Sequence, residues 1–211
     1  MRFHVILALL LFTYPICASA KVFSHSIPSE NMYPTVMPGD LIAASTYMKN
    51  EIIDRGDVVT YHPTPENKNN TYVGRVIGLP QEKVQLKDGT VYINDQPLTL
   101  VKINSLPDTE CPEGITQENK CTFFREFLLN SDKSHIIIDL MDDGFGDNMR
   151  EFLVPDGHYF ILGDNRDNSN DSRYNNGFVS KENIIAKVRT IYFSTNSGDH
   201  NERLQGFPSL K

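Results

Sequence analysis

The stretch Tyr159-Phe160-Ile161-Leu162-Gly163-Asp164-Asn165-Arg166-Asp167-Asn168-Ser169-Asn170-Asp171-Ser172-Arg173 joins two kinds of sequence. Tyr159 to Leu162 is a short apolar run of the kind that forms a buried strand. From Gly163 onward, acids, arginines and amides alternate. Such a segment reads either as a solvated turn or as a loop that ties itself together through charge-assisted hydrogen bonds. The density of donors and acceptors favours the second reading, a buried and rigid scaffold beside a site.

Working outward, the same pattern of short strands and turns recurs. Leu41 to Ala44 follows a Pro-Gly-Asp turn, and Asp57 to Tyr61 follows Arg55-Gly56. Tyr72 to Ile77 is ended by Gly78-Leu79-Pro80. Lys83–Leu86 and Thr90–Ile93 flank Lys87-Asp88-Gly89, a hairpin signal. Ile136 to Ile138 and Ala186 to Phe193 complete the strand candidates. Ser180 to Asn183 reads as a short helical turn with a serine cap. No long 3.6-residue periodicity and no internal repeat is visible. The expected fold class is therefore all-β, barrel-like or sandwich-like. Residues 99–152 are more polar and irregular and are expected to form an inserted cap subdomain. The core then comprises 21–98 and 153–195. The polar tail, 196–211, is expected to be loosely ordered.

The 211 residues allow one domain, or one domain with a sizeable insertion. Their formal charge of −7 argues against broad nucleic-acid binding, which needs a basic face. Residues 1–20 read as an export signal or a membrane anchor. Arg2 supplies positive charge, Val5 to Phe12 is apolar, and Ala18-Ser19-Ala20 is a small-residue cleavage site. Phe3 to Ala20 is also just long enough to span a bilayer. A lipid anchor on Cys17 is disfavoured by the bulky Ile16 before it. Either reading places the rest of the chain outside the cytoplasm, in the periplasm. In that compartment Cys111 and Cys121, around a Pro/Gly loop, read as a small-loop disulfide. The rival is a metal site, but two thiolates without a nearby histidine are too few for zinc. No metal, nucleotide or organic cofactor motif is present.

Four segments in order carry a resemblance: Ile27 to Val36 with Pro38-Gly39-Asp40, Arg55 to Val59, Tyr72 to Pro80, and Gly163 to Arg173. Together they resemble bacterial type I signal peptidase, and Gly163 to Arg173 matches that family's signature almost word for word. The segment Asp139 to Pro155 resembles proteobacterial members. The resemblance implies an all-β catalytic core with a second β-rich domain inserted between the third and fourth motifs. It also implies a Ser/Lys dyad, in which a serine attacks the scissile carbonyl of a signal peptide. A desolvated lysine of lowered pKa acts as its general base.

Here the chain departs from the pattern. The nucleophile position, before Met32 in Asn-Met-Tyr-Pro-Thr, holds Asn31. The general-base position, before Arg75, holds Gly74. Gln81-Glu82 stands where the family has Gly-Asp. A carboxamide is neither a useful nucleophile nor a base, and glycine has no side chain. Loss of the nucleophile costs about six orders of magnitude in serine-protease models. By resemblance, Ser29 matches an oxyanion-hole position and Ser169 a serine that contacts the lysine. Asp164, Asn165, Arg166, Asp171 and Arg173 match the scaffold loop. Ile27, Pro28 and Met32 match the walls of the substrate groove.

Three functions are compatible with this pattern. The first is an inactive homologue whose groove holds extended signal-peptide-like segments by adding a strand to a sheet edge, with the membrane surface or an active signal peptidase as further partners. The second is an active peptidase with a displaced nucleophile such as Ser29. Ser26 with His25, and Lys68, are further stand-ins that nothing in the sequence brings together. The third is an envelope structural protein that keeps only the fold.

Overall fold

The computed structural model describes residues 19–64, 66–104, 106, 111–112, 121–174, 176–196 and 200–207. Of the expected export signal or membrane anchor over 1–20, residues 1–18 lie outside the described residues, as does the interior of the cysteine loop. Fourteen strands and one short helix are present among the described residues. The chain is all-β, as its sequence pattern predicts.

The first four strands are β1 (Val22–Ser26), β2 (Asp40–Ser45), β3 (Val58–Tyr61) and β4 (Tyr72–Gly78). A hairpin follows, β5 (Lys83–Lys87) and β6 (Thr90–Ile93), then β7 (Gln96–Pro97) and β8 (Thr99–Ile103). Next come β9 (Thr122–Phe127), β10 (Ser134–Asp139), β11 (Phe152–Leu153) and β12 (His158–Leu162). The chain closes with β13 (Val179–Ser180), β14 (Ile184–Ser194) and the helix α1 (His200–Leu204).

These strands form three sheets. The largest is antiparallel, in the order β1-β2-β14-β3-β4-β12-β13. A second runs β11-β5-β6-β7, and the third runs β10-β9-β8. The Asp88-Gly89 turn has positive φ at both residues, 45° and 72°, the two-residue geometry its sequence foretold. In β3 every residue is buried, because Val58 packs on one face with Ile42 and Ala186, and Val59 on the other with Val76 and Ile161. This explains why Asp57 to Tyr61 lacks the alternation of a half-exposed strand.

Three local expectations need correction. Ser180 precedes a 3-10 turn, Lys181–Asn183, but its side chain makes no capping hydrogen bond. The stretch 99–152 is not irregular throughout: it holds β9, whose Thr-Phe-Phe-Arg-Glu-Phe carries two charges, yet Glu126 is fully buried. The tail is not loose at 200–207. Arg203 of α1 is buried and grips Asp40 with two hydrogen bonds of 3.0 Å. Phe207 packs with Phe123, Ile136 and Ile138, and Arg125 donates to the carbonyls of Gly206 and Phe207. A polar tail is ordered here by specific buried partners that its composition does not reveal.

Cys111 and Cys121 are joined as a disulfide, with Cα atoms 5.9 Å apart. Among the described residues no helix is long and apolar enough to cross a membrane.

Candidate functional site

The turn after β1 and the first residues of β4 enclose a groove of about 410 Å³. Ile27, Pro28, Ser29, Asn31 and Met32 line one side, and Tyr72 and Val73 the other. Met32, Val36 and Ile27 are buried beneath it in a cluster with Ile42 and Ala44. The groove's polar fringe comes from Ser26, Asn70, Thr71 and Asn170, with His25 on its β1 wall. His25 and Tyr72 are the titratable side chains among the described lining.

Asn31 ties the two walls together. Its Nδ2 donates to the carbonyl of Val73 at 2.7 Å, and its Oδ1 accepts from Ser29 Oγ at 2.8 Å. Both ends of the carboxamide are therefore occupied. Gly74 lies next to Val73, in close contact with β12. A Cβ added there would stand 2.5 Å from Ile161 Cγ2 and 3.2 Å from Tyr61 Cε1. Ile161 is β-branched and fully buried, so it has little freedom to yield. The space that a side chain at position 74 would enter is filled by this neighbour.

Behind the groove stands the loop after β12. Asn165 N donates to the carbonyl of Asn31, which fixes the loop against the turn. Gly163 lets that backbone approach, since a Cβ at this position would run into Asn31 O and the Ser169 side chain. Asp171 accepts from Gly163 N and from Arg173 Nε and Nη2, each at 2.9–3.0 Å. Asp164 accepts from Arg75 Nε at 2.8 Å and Nη2 at 2.6 Å. Thr35 also donates to Asp164. Arg166 reaches across to β9 and donates to both Glu126 oxygens, at 3.0 and 2.6 Å. His135 Nε2 of β10 sits 3.0 Å from Glu126 Oε2 and 3.8 Å from Asp164 Oδ1.

All these charges are buried, so each needs its partner. Burial alone would raise the Glu126 carboxyl, but Arg166 and His135 hold it well below the usual carboxylate range. Asp164 is likewise held low, by Arg75 against its own burial. Burial, aided by Arg75, pushes the His135 imidazole down, against the pull of Glu126 and Asp164. The loop thus works as a charge-matched clamp between the large sheet and β9–β10. Ile138 N donates to Asp164 O and Arg166 N to Ile138 O, adding backbone support.

The structure therefore gathers Ile27, Pro28, Ser29, Asn31 and Met32 on one groove. It sets Gly74 beside the groove's β4 wall, and Asp164, Asn165, Arg166, Asp171 and Arg173 in the clamp behind. Ser169 lies against Gly163, next to the Asn31 carbonyl. His25, Ser26 and Ser29 share the groove, whereas Lys68 is not part of its lining. Glu126, His135 and Arg203 are the participants that sequence reasoning missed. Nothing local marks Glu126 and Arg203, whose arginine and carboxylate partners lie 40 and 163 positions away, and His135 meets Glu126 only because β9 and β10 pair. Among the described residues no group of three or more His, Cys, Asp or Glu is placed to hold a metal ion.

Comparison with known proteins adds an independent finding. A family model described as "Signal peptidase, peptidase S26" matches residues 1–193. Signal peptidase I of Rickettsia akari (strain Hartford) is 35% identical over 195 residues, covering 81% of this chain and 71% of its own. Signal peptidase I of Rickettsia bellii (strain OSU 85-389) is 36% identical over 197 residues, covering 82% and 66%. A crystal structure of a signal peptidase I from Enterococcus faecalis V583 is 28% identical. It covers 66% of this chain and 98% of that one, with a TM-score of 0.37.

Proposed function

The chain belongs to the signal peptidase family, peptidase S26, and from that premise we propose that it is an inactive member acting as a peptide-binding module of the envelope. Its ligands are extended, signal-peptide-like segments of exported proteins, held in the groove between β1 and β4. Residues 21–98 and 153–195 form the groove-bearing core in this reading, and 99–152 an inserted cap. The protein works outside the cytoplasm, in the periplasm, tethered by its N-terminal segment or released from it. The membrane surface and an active signal peptidase are its further partners. In the groove, Ile27, Pro28 and Met32 shape the walls, and Ser29 with backbone N–H groups faces a bound carbonyl.

One observation carries the inactivity: the Asn31 carboxamide is spent on Ser29 and Val73, while Ile161 fills the space beside Gly74. A hydrolase of this type needs a nucleophile and a base within hydrogen-bond reach. Neither Asn31 nor Gly74 can supply one. The rival reading makes Ser29 the nucleophile. Its hydroxyl, however, donates to an amide oxygen, which does not take up a proton at neutral pH.

The test is prolonged incubation of a labelled preprotein with the full chain in detergent, at high protein concentration. No product above the buffer blank is expected, together with saturable binding of the labelled signal peptide. Product formation that disappears in Ser29→Ala would overturn the inactive reading and make Ser29 the nucleophile.

A further inference from the structure

We infer that the Asn31 side chain is a latch on the groove: it holds the Val73 carbonyl that an incoming peptide strand would use. A ligand must displace it to pair with β4. This rests on the peptide-binding reading above and adds the control of that site.

On one side, β4 is paired by β3 along Tyr72 to Arg75. On its other side, β12 pairs with β4 only as far as Leu162 opposite Arg75. Beyond that point the chain turns away: Gly163 N donates to Asp171, and the Asp164 carbonyl accepts from Ile138 N. Among the described residues, Tyr72 to Gly74 therefore have no strand neighbour on the groove side. Val76 exchanges its backbone bonds with Gly56 and Asp57, on the β3 side. Backbone direction alternates along a strand, so the carbonyl of Val73 points the other way, to the groove. An edge of this kind is where an extended peptide adds as a strand.

Asn31 stands on that edge. Its Nδ2 donates to Val73 O at 2.7 Å, in the place of a strand partner's N–H. The orientation of the amide is set by its neighbours. A carbonyl only accepts, so the nitrogen end faces Val73, and the oxygen end accepts from Ser29 Oγ at 2.8 Å. The backbone of Asn31 is fixed as well, since its carbonyl accepts from Asn165 N. The carboxamide thus reaches Val73 from a base anchored to the scaffold loop.

A peptide that makes the strand bond to Val73 breaks one already made, so its net gain falls by the worth of that bond. A peptide with no N–H at that position leaves Val73 satisfied by Asn31. The latch therefore weakens binding of an ordinary backbone and blunts discrimination against a backbone nitrogen that cannot donate.

The experiment compares a fluorescein-labelled signal peptide with variants methylated at one backbone nitrogen each. Each is bound to the full chain in detergent, with affinity read by anisotropy. Asn31→Ala is expected to bind the unmethylated peptide roughly three- to tenfold more tightly than the natural protein does, the worth of one hydrogen bond. At one peptide position, methylation is expected to cost Asn31→Ala roughly three- to tenfold more than it costs the natural protein. Extra room at position 31 would not create that dependence on a single N–H. Should Asn31→Ala lose its thermal unfolding transition, Asn31→Asp makes the same methylation comparison, because it keeps the acceptor for Ser29 and has no N–H. Binding by Asn31→Ala that is equal or weaker, or a methylation profile shared by variant and natural protein, overturns the latch and leaves peptide binding standing. Failure of every peptide to bind to natural protein and variants alike overturns the groove itself.

Discussion

The loop 163–173 and the groove over Asn31 lie back to back, joined by the bond from Asn165 N to Asn31 O, and they handle charge in opposite ways. In the loop and its partners, Arg75, Arg166, Arg173, Asp164, Asp171 and Glu126 are all buried, and each is met by its opposite. In the groove the two walls are tied by neutral groups, the Asn31 amide and the Ser29 hydroxyl. Charge is present where it locks sheets together and absent where proton transfer would need it. None of the clamp's bonds passes through the side chain of Asn31 or Gly74.

The sharpest way to break this contrast is to put chemistry back. Asn31→Ser with Gly74→Lys is expected to stay inactive, because Ile161 occupies the path of any side chain at 74. Adding Ile161→Ala to that pair is expected to open the space and yield cleavage of a labelled preprotein. A restored nucleophile is worth up to about six orders of magnitude in turnover. Cleavage by the double variant would show that Ile161 does not block the position. No cleavage by the triple variant would show that the groove differs from an active one in more than these places.

The next effect tests the clamp. Arg166→Ala leaves Glu126 buried with His135 alone and is expected to cost about 3–5 kcal/mol in denaturant-induced unfolding. A loss below about 1 kcal/mol would mean the pair is dispensable. The comparison then predicts that the groove, with its neutral bonds, responds more mildly. Ser29→Ala removes one exposed hydrogen bond to Asn31 and should cost about 1 kcal/mol or less by the same measurement.

A smaller, pH-dependent effect lies at the clamp's outer edge. Burial and the neighbouring Asp167 push the Asp139 carboxyl up to about 7 from 3.8. A carboxyl whose folded pKa is raised binds its proton more tightly in the folded state. It therefore favours folding at low pH, and that contribution fades as pH climbs from about 3.8 to about 7. Asp139→Asn, measured by thermal unfolding at pH 5 and pH 8, is expected to lose less stability between the two than the natural chain does. An unchanged pH slope would show that Asp139 is not the group responsible.

Much of this molecule is legible in its residues, and the limits have specific causes. The Asp88-Gly89 hairpin follows from a turn chemistry that acts over two residues. β10 and β12 follow from β-branched and aromatic runs. β1 and β9 do not, since polar residues dilute their pattern and their burial depends on strands far away. The groove residues Ile27 to Met32 are contiguous, so their sequence already places them together. Their confrontation with Tyr72 and Val73 is a matter of sheet order.

By itself, the sequence determined the strand-rich class, the absence of a hydroxyl at 31 and of any side chain at 74, and the supply of matched charges in 163–173. These are properties of residue type and of neighbours a few positions apart. Only the tertiary structure decided that Arg166 meets Glu126, that Arg203 grips Asp40, and that Ile161 fills the place beside Gly74. The two ion pairs join residues 40 and 163 positions apart. Which acid meets which base in a buried interior depends on where strands cross, and no local preference encodes that crossing.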